Sequence, residues 1–197
     1  MNTTEKRAAL KAIGIFVALL ILISALFDTL IIHTGKLNSL YVTGAMWAPG
    51  TAALLTCIIL KRPVTTIPWK WCRWPWVVTA WSVPLAYCLV AYGIVWSAGI
   101  AHFPSTQTLE TWRSSFGLAN MSDTQIMIFS AVIIGVLGVL KACASTLGEE
   151  IGWRGFLIWE MRKLMPFQLV AILSGLIWAI WHYPGILGAG YNNSSDN

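Results

Sequence analysis

The sequence predicts an all-α protein, a polytopic transmembrane helix bundle with about five spans and a cytoplasmic N-terminus. Of its 197 residues, 57% are apolar and 11% are charged, and the mean hydropathy is +0.68. Soluble domains carry about 25% charged residues, so this composition is typical of a membrane protein. The twelve tryptophans and five tyrosines agree, because amphipathic aromatic side chains collect at the depth of the lipid headgroups.

Five apolar runs are long enough to cross a bilayer, which takes about 20 mostly apolar residues in a helix. They cover residues 10–32, 41–60, 77–100, 125–146 and 167–187. The first is too long for a signal-peptide core and reads as an uncleaved anchor. Pro84 predicts a kink in the third run. Residues 102–125 form the longest polar connection, and the tail YNNSSDN is expected to be disordered.

The placement of lysine and arginine predicts the orientation. A cytoplasmic N-terminus leaves most of the basic residues inside, namely Lys6, Arg7, Lys11, Lys61, Arg62, Lys70, Arg73, Lys141, Arg154, Arg162 and Lys163. Only Lys36 and Arg113 then lie outside. This bias explains the net charge of +5 by membrane topology, so we expect a lipid bilayer and no nucleic acid as a partner. The four cysteines occur singly, which favours buried or lipid-facing thiols over a disulfide or zinc framework.

The stretch LGEEIGWRGFL, residues 147–157, places ionisable groups where a membrane tolerates them only at a cost. On a helix, Glu150 and Arg154 are at positions i and i+4 and can pair. Glu149 points about 100 degrees away, so its carboxylate is expected to stay unpaired and to act as a general base on water. Alternatively, the pair is a solvated helix end. Gly148, Gly152 and Gly155 would then be helix-packing contacts.

A second stretch, LSGLIWAIWHYPGIL, carries Trp178 and His182 at i and i+4 in an otherwise apolar helix. A short loop makes this helix an antiparallel neighbour of the one with the glutamates. Carboxylates and an imidazole that face each other across such an interface can hold a water or a metal ion. Pro184 is expected to open the helix and admit water. The alternative for His182 is a packing residue bonded to a backbone carbonyl.

Together, EEIGWRG and WAIWHYP resemble the CPBP intramembrane proteases, also called the Abi or CAAX-protease family. The first family motif, EExxxR, is matched by Glu149, Glu150 and Arg154, and the second, an aromatic residue four positions before a histidine, by Trp178 and His182. The resemblance covers residues 147–185, roughly a fifth of the chain. It divides the chain into N-terminal transmembrane helices and loops, 1–120, and a partial protease core, 121–197.

The resemblance implies a role for each matched residue. Glu149 would activate the hydrolytic water and Glu150 would support that site, while Arg154 would hold the acidic residues in place. His182 would bind or orient the water. If zinc or another divalent metal is the cofactor, Glu149 and His182 would ligate it. Trp178 would form the wall of the pocket.

The third family motif, which supplies a histidine and an asparagine, is not found after His182. His33 and His102 are poor substitutes, because both end a helix on the predicted outer side. We therefore expect a chain that stops before the third motif, either as a fragment or as a natural short form with a compromised site.

Three functions are compatible with these patterns. The first is an intramembrane metalloendopeptidase of a multi-pass protein in the cell membrane, by resemblance a bacterial one. It would hydrolyse a membrane-associated peptide or protein, such as a leader peptide, through a glutamate-activated water. The second is a non-catalytic immunity protein or peptide-binding pseudoenzyme. The third is a transporter or channel, and it depends on Asp28 in the first span, which is otherwise a helix-end aspartate near the interface.

Overall fold

A computed structural model describes residues 3–35, 38–70, 72–101 and 105–189, and within these ranges the chain forms helices and turns without a strand. Five helices are long and apolar enough to cross a membrane. They are Thr3–Thr34, Ser39–Ile59, Trp74–Ser97, Asp123–Met161 and Phe167–Gly188. The predicted fold class, an all-α polytopic membrane protein, is confirmed. Lys36, His102 and the tail 191–197 lie outside the described residues.

Eight α-helices are numbered in chain order. They are α1 (Thr3–Thr34), α2 (Ser39–Ile59), α3 (Trp74–Ser97), α4 (Thr106–Phe116), α5 (Asp123–Ile133), α6 (Val139–Glu150), α7 (Ile158–Met161) and α8 (Phe167–Ala189). Two π-helical stretches, Ile134–Gly138 and Ile151–Leu157, join α5 to α6 and α6 to α7. We call α6, the stretch Ile151–Leu157 and α7 together the motif helix.

The chain forms two compact units, one of residues 1–69 with 141–197 and one of residues 70–140. In the first unit, α1 packs along α2, both contact the motif helix, and α8 contacts α1 and the motif helix, which completes a four-helix bundle. The predicted boundary at residue 120 concerns where the protease core begins in the sequence, and it stays a prediction.

An aromatic cluster fills the centre of the first unit. The Phe16 ring of α1 stacks on Phe156 at 5.3 Å between centroids and meets the edge of Trp153 at 6.0 Å. Trp153 in turn contacts Trp181 of α8, with 5.6 Å between centroids. These rings hold α1 and α8 against the motif helix. Lipid is as apolar as such side chains, so close packing, rather than transfer from water, stabilises this core.

A buried ion cluster ties the end of α2 to α7. Glu160 is 6% exposed, and its Oε1 accepts hydrogen bonds from Arg62 at 3.1 Å and Lys163 at 2.6 Å. Arg62 also donates to the backbone carbonyl of Ala8 on α1, at 3.2 Å. One carboxylate therefore joins three elements of the bundle.

In the second unit, α4 begins at the N-cap Ser105 and ends at Gly117, which adopts a left-handed conformation with φ of 65°. α5 begins with a capping box formed by Ser122 and Gln125. Arg113 binds the Met121 carbonyl at 2.6 Å and the Asp123 carboxylate at 2.7 Å, which fixes the turn between α4 and α5.

Two expectations about local structure are wrong. The fourth span does not end at Thr146 but continues through the glutamates to Met161. α8 stays helical through Pro184, so this proline does not open the helix. α3 also continues through Pro84, and the kink predicted there stays a prediction. The polar connection 102–125 contains α4, a mostly polar helix with a Ser cap and a Gly stop.

Candidate active site

Two glycines of the first motif set the distance between the motif helix and α2. A Cβ atom on Gly148 would lie 2.5 Å from the Cα atom of Trp47, and one on Gly152 would lie 2.4 Å from the Cβ atom of Pro49. Both distances are shorter than real side chains permit, so only glycine fits at either position. The helix-packing interpretation of these two glycines is confirmed, and their face of the motif helix is occupied by α2.

Polar contacts fix the register of the same two helices. The indole nitrogen of Trp47 donates to the carbonyl of Ala144 at 3.0 Å, and the Ser145 hydroxyl donates to the sulfur of Met46 at 3.1 Å. The helix turn just before the glutamate pair is thus held against α2 at two points. A π-helical stretch begins directly after Glu150, and such turns are frequent at functional sites.

Glu149 faces α8, away from the glycine seam. Its Oε2 accepts a hydrogen bond of 3.0 Å from the indole nitrogen of Trp178. The Trp178 ring also packs edge-on against the imidazole of His182, with 4.6 Å between centroids. The structure therefore brings together one residue of the first motif and both residues of the second.

Within the described ranges Glu149 forms no ion pair, as expected, but Trp178 donates a hydrogen bond to it across the helix interface. Trp178 is thus a hydrogen-bond donor to the predicted base as well as a wall of the pocket. Glu149 is half-buried, and within the described ranges no hydrogen bond to its other oxygen, Oε1, is found. One oxygen is positioned by the indole and the other stays available to a small molecule.

Glu150 pairs with Arg154 on the same helix, as the spacing predicts. Their side chains are 48% and 66% exposed, and exposed pairs contribute little to stability. The pair therefore contributes little to the stability of the fold, and its main effect is to hold the Arg154 guanidinium beside the Glu150 carboxylate. Arg154 lies on the side of the motif helix that faces α8, where it lines the same cavity as Trp178.

A cavity of about 190 Å³ lies between the motif helix and α8. Its lining is mostly apolar and consists of Trp153, Arg154, Ile158, Ala171, Ser174, Gly175 and Trp178. Residue numbers rise along the motif helix as they fall along α8, from Glu149 opposite Trp178 to Ile158 near Ala171. This confirms the antiparallel arrangement, and the predicted orientation places the cavity on the cytoplasmic side of Glu149.

His182 is half-buried between two indoles. Trp181 packs against it at 4.7 Å between ring centroids, and Trp178 packs against it at 4.6 Å. The indole nitrogen of Trp181 donates to the hydroxyl of Ser24 on α1, at 2.7 Å. Asp28, one turn further along α1, lies close enough to His182 to interact with it electrostatically.

Sequence reasoning missed this proximity of Asp28 to His182. Asp28 attracted attention as a lone acid in the first span, but nothing in the sequence pairs α1 with α8. Ser174 and Gly175, which open the cavity, were also missed. Their signal is small residues one turn before Trp178 on an apolar helix.

The described residues do not supply a complete metal site. Within them, no three His, Cys, Asp or Glu side chains converge on one point. Protein zinc sites use at least three such ligands, and Glu149 and His182 provide two. His33 is exposed at the end of α1, and His102 lies outside the described part of the chain.

Comparison with known proteins supports the motif assignment. The family model for type II CAAX prenyl endopeptidases of the Rce1-like kind matches residues 124–193. CAAX prenyl protease 2 of Methanococcus maripaludis is 35% identical over 66 residues, which are 34% of this chain and 22% of that protein. No solved structure matches the chain.

These findings define a multi-pass helical membrane protein with a segment similar to the type II CAAX prenyl endopeptidases. The resemblance to the CPBP family is confirmed over residues 124–193, which contain both motifs. The aligned part spans about a fifth of the length of the archaeal relative.

Proposed function

We propose that this protein is an intramembrane endopeptidase that hydrolyses a peptide bond of a membrane-associated peptide or protein. The observation that carries the proposal is the hydrogen bond from Trp178 to Glu149, with His182 packed against the same indole. It brings a carboxylate and an imidazole from two different helices to one place within the membrane span. Ionisable groups at such a depth are costly and mark functional sites.

In the proposed reaction Glu149 is the general base. Its Oε1 takes a proton from a water molecule while the water oxygen bonds to the carbonyl carbon of the substrate. The C–N bond then breaks, and Glu149 returns the proton to the leaving nitrogen. Trp178 holds Oε2, so the carboxylate presents one fixed oxygen to the water. No covalent intermediate with the protein is formed.

The remaining motif residues support this step. His182, which packs against the Trp178 ring, orients the water and the oxyanion. Glu150 and Arg154 form an ion pair beside the cavity, where Arg154 directs positive charge toward the carboxylates. Because the site lies among apolar helices, each of these electrostatic effects is stronger than it would be in water.

A divalent metal, if one is part of this site, would be bound by Glu149 and His182. A third ligand would have to come from outside the described residues, since no cluster of three exists within them. Zinc would supply a Lewis acid for the carbonyl and an activated water. The proton transfer assigned to Glu149 does not depend on it.

The cavity indicates how a substrate would be held. A volume of about 190 Å³ accommodates one apolar side chain next to the scissile bond, and it is smaller than the pockets that enclose whole ligands. A membrane protein segment or a leader peptide fits this description. The name of the archaeal relative adds a prenylated C-terminal peptide as a substrate to test.

The test compares Glu149→Gln with the matched control Glu110→Gln, an exposed glutamate of α4. The full chain is reconstituted in liposomes with a panel of peptides that includes a farnesylated C-terminal peptide and an apolar membrane segment. Cleavage products are identified by mass spectrometry. We expect cleavage by the parent and by Glu110→Gln, and a loss of at least a hundredfold in Glu149→Gln.

Two outcomes would contradict the proposal. Equal turnover by Glu149→Gln and the parent would exclude Glu149 as the base. Tight binding of a peptide without cleavage, unchanged in Glu149→Gln, would instead support the peptide-binding alternative.

A further inference from the structure

The structure fixes how α1 and α8 lie against each other. Trp181 donates to Ser24 at 2.7 Å, and two turns further along, a Cβ atom on Gly188 would lie 2.4 Å from the Cδ1 atom of Ile32. Residue numbers increase together on the two helices, so they are parallel. Close contact at both points leaves a short shared interface between them.

Asp28 lies within this interface. It is four residues after Ser24 and four before Ile32, so all three side chains share one face of α1. The carboxylate is half-buried, and within the described ranges it makes no hydrogen bond or ion pair. Its electrostatic neighbour is the imidazole of His182.

His182 lacks an acceptor among the rings that enclose it. An indole nitrogen only donates, and the two neighbouring indoles already donate elsewhere, Trp178 to Glu149 and Trp181 to Ser24. The indoles therefore restrict the orientation of the imidazole plane but cannot select which ring nitrogen carries the proton. Selecting a tautomer takes an acceptor on one side of the ring.

We propose that Asp28 is a positioning residue that accepts the N–H of His182 through one bridging water and thereby fixes the tautomer of the imidazole. The other ring nitrogen is then free for the site that Glu149 and Trp178 form. A carboxylate behind a functional histidine acts in this way at many active sites. The catalytic consequence rests on the proposed endopeptidase function, whereas the tautomer itself does not.

The same assignment explains why the first span carries a carboxylate, and the explanation does not require an ion path through the membrane. A charged group in a membrane helix is rare unless it faces a partner within the protein. Asp28 faces α8, where the proposal gives it such a partner. If the proposal holds, the transporter interpretation, which depends on Asp28 alone, is no longer needed to explain this residue.

The first test measures the distance between Asp28 and His182 without changing either residue. His33→Gln and His102→Gln leave His182 as the only histidine of the three in the chain. The full chain in lipid nanodiscs is labelled with ¹³C at aspartate Cγ and ¹⁵N in the histidine ring, and their dipolar coupling is recorded by solid-state NMR. We expect a coupling that corresponds to about 4–6 Å. No coupling would overturn the proposal.

The second test changes the charge. In the same background, Asp28→Asn removes the negative charge at constant size, Asp28→Glu keeps it, and Thr29→Val is a control at the exposed neighbouring position. We expect the ¹⁵N shifts of the two ring nitrogens to show one tautomer in the parent and in Thr29→Val. Asp28→Asn should show a mixture or the other tautomer, and Asp28→Glu should remain closer to the parent. Unchanged ring shifts in folded Asp28→Asn would also overturn the proposal.

Turnover separates this proposal from the proposed function. If the protein is a peptidase, Asp28→Asn should lower kcat by about 10- to 100-fold with little change in KM, because the histidine is mispositioned rather than removed. If no peptide is cleaved by the parent, the proposed function fails, while the NMR results still decide whether Asp28 positions His182.

Discussion

The indole nitrogen of Trp178 lies 3.0 Å from Oε2 of Glu149, and this hydrogen bond joins the two sequence motifs across a helix interface. Each motif alone has an ordinary structural explanation, an ion-paired helix end for one and a packed histidine for the other. Their contact does not follow from either explanation. Through this contact, the Trp178 indole touches both the Glu149 carboxylate and the imidazole of His182.

Trp178→Phe removes this hydrogen bond and keeps an aromatic ring against His182. A hydrogen bond to a charged group contributes about 1.5–3 kcal/mol, so we expect kcat to fall by roughly 10- to 100-fold. Steady-state kinetics on the best cleaved peptide measures the effect. Trp81→Phe, at an exposed tryptophan of α3, serves as the control and should behave as the parent. Equal kcat values for Trp178→Phe and the parent would show that the bond does not contribute to the reaction.

Gly152→Ala should destabilise the fold, because the new Cβ atom would lie 2.4 Å from the Cβ atom of Pro49 and 2.5 Å from its carbonyl carbon. Overpacking of this kind costs about 1–3 kcal/mol. Thermal unfolding in detergent, followed by tryptophan fluorescence, should show a lower Tm.

Gly14→Ala is the matched control for this experiment. A Cβ atom at Gly14 of α1 meets nothing within 4 Å, and alanine favours a helix over glycine by about 1 kcal/mol. We expect an unchanged or higher Tm for Gly14→Ala. If both variants unfold at the same temperature, the close approach of the motif helix to α2 is not what holds the site.

Gly175→Leu tests the cavity. The position is open, with nothing within 4 Å of an added Cβ atom, and it lines the space of about 190 Å³. A leucine there fills much of this volume, so kcat/KM should fall for substrates with a large side chain beside the cleaved bond and much less for those with a small one. The control is Gly93→Leu on α3, also in open space. A uniform loss for large and small side chains would argue against a side-chain pocket.

Glu160→Gln tests the ion cluster at the end of α2. The change leaves Arg62 and Lys163 without their shared carboxylate, and removing one partner of a buried ion pair is strongly destabilising. Since Arg62 and Lys163 are partly exposed, we expect a reduced cost of about 1–3 kcal/mol. A lower Tm with unchanged kcat per folded molecule is the predicted result. Loss of kcat at unchanged Tm would instead place Glu160 in the reaction.

The sequence was sufficient for the spans and for the candidate residues, since both depend on local patterns. Runs of about 20 apolar residues marked the five membrane helices. The spacing of Glu150 and Arg154 predicted their pairing, because residues four apart meet on any helix. The motif glycines were correctly read as contacts, although their partner, α2, could not be named.

The rest depended on how helices rotate against each other. Whether Trp178 points at Glu149 is decided by the glycine seam, which turns Gly148 and Gly152 toward α2 and so turns Glu149 toward α8. The continuation of the fourth span was missed because charged residues usually end a membrane helix. α4 was missed because its apolar stripe is only three residues, Leu109, Trp112 and Phe116, in an otherwise polar segment, although Ser105 and Gly117 are ordinary start and stop signals.

The central claim is that Trp178 acts on the reaction through Glu149. A double-mutant cycle tests it most directly, with single-turnover rates measured for Trp178→Phe, Glu149→Gln and the two changes combined. If the indole acts by holding the carboxylate, the double variant will react no more slowly than Glu149→Gln alone. Once residue 149 cannot act as a base, the hydrogen bond from Trp178 no longer contributes to the rate. If the two losses multiply in full, Trp178 and Glu149 act independently, and the site described here is contradicted.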